Sequence, residues 1–187
     1  LLLSFEGSIC LWQGEELGQT DTPLDFAELT DPQGIAFWPE PVGRDNTRTP
    51  MVWDASPNGG FSTARPWLPV KPDQAARHVA GQAGVPGSVL EHYRAMLAFR
   101  RASDALRAGR TRFLDLHGPL LGFVRGEGAG AILCLFNLSP VAMSVTVAGV
   151  GALAAVSSNA VAEGERLMLG PNAAAFLPVT GDVRVRD

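Results

Sequence analysis

The sequence predicts the tail of an α/β domain followed by a small all-β domain built as an antiparallel sandwich. Three observations carry this. An apolar run bounded by glycine, Gly-Ser-Ile-Cys-Leu-Trp at residues 7–12, leads into a glycine-rich turn, which is the pattern of a buried parallel strand. After Ser88, apolar residues recur at helical spacing. Beyond Gly109 the hydrophobic period changes to two, with turn residues between short segments.

The elements follow in order. Leu1-Leu2-Leu3-Ser4-Phe5 reads as the last turn of a helix; it has no basic flank and too few apolar residues for a signal peptide. Residues 7–12 form the expected strand, and Gln13-Gly14-Glu15-Glu16-Leu17-Gly18 the turn leaving it. Residues 19–86 show little periodicity and are rich in Pro, Gly, Asp and Asn. Loops longer than about 12–15 residues are uncommon, so this stretch is read either as a functional loop or as part of something larger, with room for short helices within it. Ser88 followed three residues later by Glu91 is a capping box, and Leu90, Tyr93, Met96 and Leu97 continue it as a helix over 89–102. Strands are expected at 112–116, 120–125, 131–136, 143–147 and 174–179. Gly118-Pro119, Gly126-Glu127-Gly128, Ser139-Pro140 and Gly170-Pro171 punctuate them. The domain boundary falls near 108–110, giving domains of 1–108 and 109–187.

Composition narrows the function. Of 187 residues, 46% are hydrophobic and 18% charged, enough apolar material for a packed core. The net charge of −4 carries no basic stripe, so nucleic acid is not an expected partner. Two cysteines without C-x-x-C spacing and three scattered histidines give no metal site, and no cofactor pattern is present. Residues 128–162 lack any charge, yet Asn137, Ser139-Pro140, Gly149 and Gly151 interrupt them. A membrane helix needs about 20 mostly apolar residues in a row. Buried strands are the better reading, and no membrane partner is expected.

The densest polar cluster is Gly43-Arg44-Asp45-Asn46-Thr47-Arg48-Thr49-Pro50-Met51-Val52-Trp53-Asp54. Arginine offers rigid donors for bidentate contacts, so Arg44 and Arg48 suit either binding of ligand hydroxyls or salt bridges that order the loop. Phe37-Trp38-Pro39 and Pro66-Trp67-Leu68-Pro69 have the same double reading, as sugar platforms or as pins for a long loop. Glu15-Glu16 follows the expected strand at its carboxyl end, where ligand sites collect in parallel α/β folds. Adjacent carboxylates rarely point the same way, so one facing a site and one solvated is the plain alternative to an acid/base pair.

Taken together, the Gly7-to-Gly18 segment with its Gln-Gly-Glu-Glu turn and the Gly-Arg-Asp-Asn-Thr-Arg-Thr-Pro-Met run resemble glycoside hydrolase family 13. The likeness is to the α-glucosidase and oligo-1,6-glucosidase branch of that α-amylase superfamily. Phe37-Trp38-Pro39-Glu40, Gly60-Phe61-Ser62 and Pro66-Trp67-Leu68-Pro69-Val70 fall in the same order as in that family. Trp12 stands where tyrosine is usual in it, and Ile9 where proline often is.

The resemblance implies that residues 1–108 hold the last strand and last helix of a (β/α)8 TIM barrel with a long strand-8 loop. Residues 109–187 would be an antiparallel β-sandwich C-terminal domain. It implies a retaining, exo-acting α-glucosidase that hydrolyses terminal α-linked glucose from maltose-like oligosaccharides, with transfer of glucose to acceptors besides. The partners it implies are a small oligosaccharide and the rest of the catalytic barrel. The catalytic carboxylates of the family come from earlier strands, so no catalytic residue is nominated here and the chain by itself is expected to be inactive. Arg44 is implied as the contact to the terminal glucose, Arg48 as a second or supporting one, and Glu15 as a residue of the pocket rim. A non-catalytic relative, acting as a scaffold or with a transporter, is the alternative. A cytoplasmic location is expected.

Overall fold

The computed structural model describes residues 1–186. Two compact units form: one from Leu1–Ile9 with Ala95–Asp187, the other from Cys10–Arg94.

The first unit is built on a six-stranded sheet: β1 (Thr111–Phe113), β2 (Leu120–Arg125), β3 (Ile132–Asn137), β4 (Met143–Val150), β5 (Ser158–Glu163) and β6 (Arg166–Arg186). The order is β1-β2-β3-β6-β4, with β5 also on β6. The β1–β2, β2–β3, β3–β6 and β5–β6 pairs are antiparallel. β4 meets both ends of β6: Met143 lies opposite Leu169 and Val145 opposite Leu167, then Val147 opposite Val185 and Val150 opposite Val179, so within each stretch partner numbers fall as β4 rises, the register of an antiparallel pair. β6 can serve so many neighbours because it is 21 residues long and runs unbroken through Gly170-Pro171-Asn172, where Asn172 takes φ +51°.

Period-two patterning explains the core. Val145 and Val147 are buried while Ser144 and Thr146 face out. With Leu133, Leu135, Leu167, Leu169, Ala175 and Leu177 they form one apolar cluster. β3 is buried on both faces. Its second face carries Phe136, which stacks with Phe123 at 5.7 Å and Phe176 at 5.8 Å, and Phe176 meets Phe99 at 5.7 Å. Each such side chain taken fully from water contributes roughly 1.5–3 kcal/mol. Arg125 is fully buried and donates to the Ser4, Leu106 and Gly109 carbonyls, tying β2 to the chain's first residues and to the end of a short helix, Asp104–Ala108. Arg100 donates to the carbonyls of Leu3, Phe5 and Gly7.

The second unit is loop-rich. Its helices α1 (Pro32–Ala36), α2 (Pro72–Ala75) and α3 (Val79–Gln82) are single turns, joined by 3-10 turns at Glu15–Leu17, Asp45–Thr47 and elsewhere. A small core of Leu17, Met51 and Leu90 holds it. Helix α4 (Val89–Ala102) begins in this unit and continues into the first; the helix Asp104–Ala108 that follows it is α5. Only half of the expected capping box forms: Ser88 Oγ accepts the Glu91 amide at 3.3 Å, but the Glu91 carboxylate takes the Gly84 amide at 2.8 Å.

The strand expected over 7–12 is not regular strand. A parallel strand is defined by ladder bonds to a neighbour, and here the Trp12 amide donates instead to the Glu15 carboxylate at 2.7 Å. Trp12 is 56% exposed. The first residues form one 3-10 turn, Leu2–Ser4. Among the described residues no helix is long and apolar enough to cross a membrane; β3 and β4 occupy the uncharged stretch.

Candidate functional site

The two motifs singled out in the sequence meet within the second unit. Gly14, at φ +99°, turns the chain so that Glu15–Leu17 can form its 3-10 turn and bury Leu17 against Met51 and Leu90. Both carboxylates of the turn are engaged locally: Glu15 accepts the Trp12 amide and Glu16 the Gly14 amide, at 2.9 Å. Glu15 is exposed and Glu16 half-buried. From the far side of Trp12, the indole Nε1 donates to the Thr47 carbonyl at 3.0 Å, joining this turn to the arginine segment.

Acids, not arginines, hold the arginine segment in place. Asp45, 1% exposed, accepts the Thr30 amide at 2.6 Å, the Thr30 hydroxyl at 3.0 Å and the Asp31 amide at 2.7 Å. Asp31 in turn accepts the Gln33 and Arg44 amides, each at 3.0 Å, capping α1 with the first bond and fixing the start of the arginine segment with the second. Those two amide donors hold the Asp31 carboxyl below its ordinary value, and the Arg44 and Arg48 charges add to the effect. Asn46 Nδ2 donates to Asp21 at 2.8 Å.

The backbone of the segment is thus fixed while its cations are free. Arg44 and Arg48 are exposed, and among the described residues neither guanidinium forms an ion pair. Glu15 lines a 280 Å³ cavity with Trp12, Asn46, Thr47, Thr49 and Gln74. The structure therefore brings Glu15 beside the middle of the arginine segment, whereas Arg44 and Arg48 lie outside that cavity's wall.

Sequence reasoning missed the polar frame beneath it. Gln74, 6% exposed, donates to Thr49 Oγ1 at 2.7 Å and to the Pro50 carbonyl at 2.9 Å. Gln19 donates to the Gln74 and Arg77 carbonyls at 3.0 and 3.1 Å. Isolated glutamines carry no periodic or spacing signal, so only the folded loop reveals them. No group of three or more His, Cys, Asp or Glu among the described residues is arranged to hold a metal ion.

Residues 1–109 match the catalytic domain of alpha-amylase. The chain belongs to the alpha-amylase family. Within it, the chain is 52% identical over 139 residues to a probable alpha-glucosidase of Rhizobium meliloti (strain 1021), covering 74% of this chain and 25% of that protein. It is 30% identical over 166 residues to a glucan 1,6-alpha-glucosidase of Streptococcus pneumoniae serotype 4 (strain ATCC BAA-334 / TIGR4), covering 80% and 31%. Among solved structures, the alpha-glucosyl transfer enzyme XgtA superposes with a TM-score of 0.82 at 37% identity, over all of this chain and 34% of that one. The chain thus spans about a quarter to a third of the length of these family members. The fold class read from the sequence stands: the end of a (β/α)8 barrel domain followed by an antiparallel β-sandwich.

Proposed function

We propose that this chain is the closing part of a retaining, exo-acting α-glucosidase that removes terminal α-linked glucose from maltose-like oligosaccharides and also transfers glucose to acceptors. The observation that carries the reading is the pair of unpaired guanidiniums, Arg44 and Arg48, on a backbone fixed by Asp31 and Asp45. A pocket for a chain end needs donors fixed in advance of binding, because ordering them on association costs free energy. Here the ordering is done by carboxylate–amide bonds of Asp31 and of the buried Asp45, which leaves the forks for sugar hydroxyls. Arg44 contacts the terminal glucose, Arg48 supports it, and Glu15 stands at the rim beside Trp12.

In this proposal residues 1–108 close the catalytic barrel and residues 109–187 brace it. Double displacement needs two carboxylates about 5 Å apart, and the remainder of the barrel supplies them. The likeness to a probable alpha-glucosidase and to an alpha-glucosyl transfer enzyme supports both halves of the activity.

The test is direct. The full-length polypeptide carrying this sequence, given p-nitrophenyl α-glucoside so that all released glucose comes from the cleaved side, and followed by proton NMR, should release the α-anomer of glucose first. The 187-residue chain alone should release nothing from p-nitrophenyl α-glucoside above a blank. Initial release of β-glucose, or turnover by the isolated chain that survives repurification, overturns the proposal.

A further inference from the structure

The Phe37-Trp38-Pro39 motif does not line the Glu15 cavity, yet it borders a neighbouring cavity of about 310 Å³ within the second unit, which shares Asp21 and Asn46 with that one. Its volume is at the lower end of the range for small-molecule pockets. The seam between Gly34 and Gly43 forms part of its wall. A Cβ on Gly43 would lie 2.8 Å from the Gly34 Cα, so no side chain fits there and the two backbones stay in contact. Over the cavity stands Trp38, 46% exposed, with Phe26 tilted against it at 5.8 Å and 59°. Leu24 and Leu29 supply apolar wall, and Asp21, Glu40 and Asn46 supply oxygen acceptors. Asp21 is oriented by the Asn46 amide, and Asn46 Oδ1 is buried without a partner among the described residues.

The chemistry of this lining selects its occupant. Two carboxylates and no Lys, Arg or His line the cavity, which disfavours an anion. A quaternary ammonium is best held by a cage of aromatic faces, and among the described residues Trp38 is the only aromatic in this wall. A neutral polyhydroxylated ring meets both requirements: its C–H face lies on the indole while hydroxyls donate to the carboxylates. We propose that this cavity is a second carbohydrate site, apart from the Arg44 and Arg48 guanidiniums although Gly43 and Asn46 of their segment line it, that takes a neutral glucosyl residue with Trp38 as platform and Glu40 and Asp21 as hydroxyl acceptors.

The chain holds four tryptophans, so 5-fluorotryptophan labelling gives four fluorine resonances, with Trp38 assigned by Trp38→Phe. Titrating the labelled chain with isomaltose should move the Trp38 resonance saturably. Glu40→Ala should weaken that response at least tenfold. Arg44→Ala should leave it unchanged, which separates this site from the one proposed above. The proposal is overturned if Trp38 does not shift up to the solubility limit of the sugar, or if its resonance coincides with that in urea. It is equally overturned if Glu40→Ala responds like the parent, if Arg44→Ala abolishes the shift, or if tetramethylammonium produces the same shift and competes with the sugar.

Discussion

Replacing Arg125 by Met removes the guanidinium and keeps the apolar stem, isolating the polar role of a fully buried cation. Among the described residues no carboxylate pairs with it; its partners are the carbonyls of Ser4, of Leu106 at 3.1 Å and of Gly109 at 2.8 Å. Two of these lie at the carboxyl end of α5, the negative end of the helix dipole. Burial pushes the Arg125 pKa down and nearby Arg100 adds to that, so the carbonyls must offset a real desolvation cost. Hydrogen bonds from a charged donor contribute about 1.5–3 kcal/mol each. Three of them exceed the several kcal/mol that desolvating one ion costs. Taking the donor away leaves three carbonyls short of a partner, and the loss should be about 3–5 kcal/mol, as when one partner of a buried pair is removed. With a urea m-value of roughly 2 kcal/mol/M the midpoint should fall by about 1.5–2.5 M. Urea unfolding followed by near-ultraviolet circular dichroism measures this. Arg125→Lys should recover less than half, since one ammonium cannot reach three carbonyls with the geometry of the fork. A midpoint for Arg125→Met within about 0.3 M of the parent would refute the reasoning.

Further outcomes follow from individual environments. Burial pushes the Cys134 thiol up to about 12 while Cys10 is exposed, so a thiol reagent at pH 8 should modify Cys10 alone until the chain unfolds. Asp31 titrates below the ordinary aspartate value of 3.8, so its contribution is present above that value and is lost as pH falls through the lowered one. Comparing Asp31→Asn with the parent across acid pH should show a stability difference that shrinks only below the titration point seen by carboxyl NMR. Trp12→Phe deletes the indole bond to the Thr47 carbonyl, worth about 0.5–1.5 kcal/mol. Amide exchange over residues 44–48 should quicken while exchange in β3 stays unchanged.

Much of this was legible in the sequence where one periodic signal acts alone. The helix expected over 89–102 forms over those residues, and the strand at 120–125 likewise; those expected at 131–136 and 143–147 shift or lengthen by one to three residues. Where tertiary pairing decides, the signal fails. Gly170-Pro171 reads as a turn between the strands expected at 143–147 and 174–179, yet β6 passes through it, because β3, β4 and β5 all pair along it. β5, Ser-Asn-Ala-Val-Ala-Glu, has little β-propensity and exists as a strand because β6 supplies its ladder. The apolar run at 7–12 shows the converse: composition suited to a strand, with no strand alongside. At the site, the arginine segment was visible as a polar cluster. That Asp31 and Asp45 order it was not, since their partners, Thr30 and Gln33, follow no motif.

The account rests most heavily on Arg44, whose side chain forms no ion pair among the described residues. In the full-length polypeptide carrying this sequence, the proposed glucosidase site predicts that Arg44→Ala cuts kcat/KM about tenfold or more, because each charge-assisted bond to a sugar hydroxyl contributes roughly 1.5–3 kcal/mol. Part of that loss should fall on kcat, if the contact tightens as the ring flattens toward the oxocarbenium-like state. Arg44→Lys should recover little of it. The deciding measurement is the melting temperature and kcat/KM of Arg44→Ala on one preparation. A glucose contact by Arg44 leaves the melting temperature unchanged and impairs the kinetics; a lowered melting temperature with normal kinetics would show that Arg44 only anchors its loop.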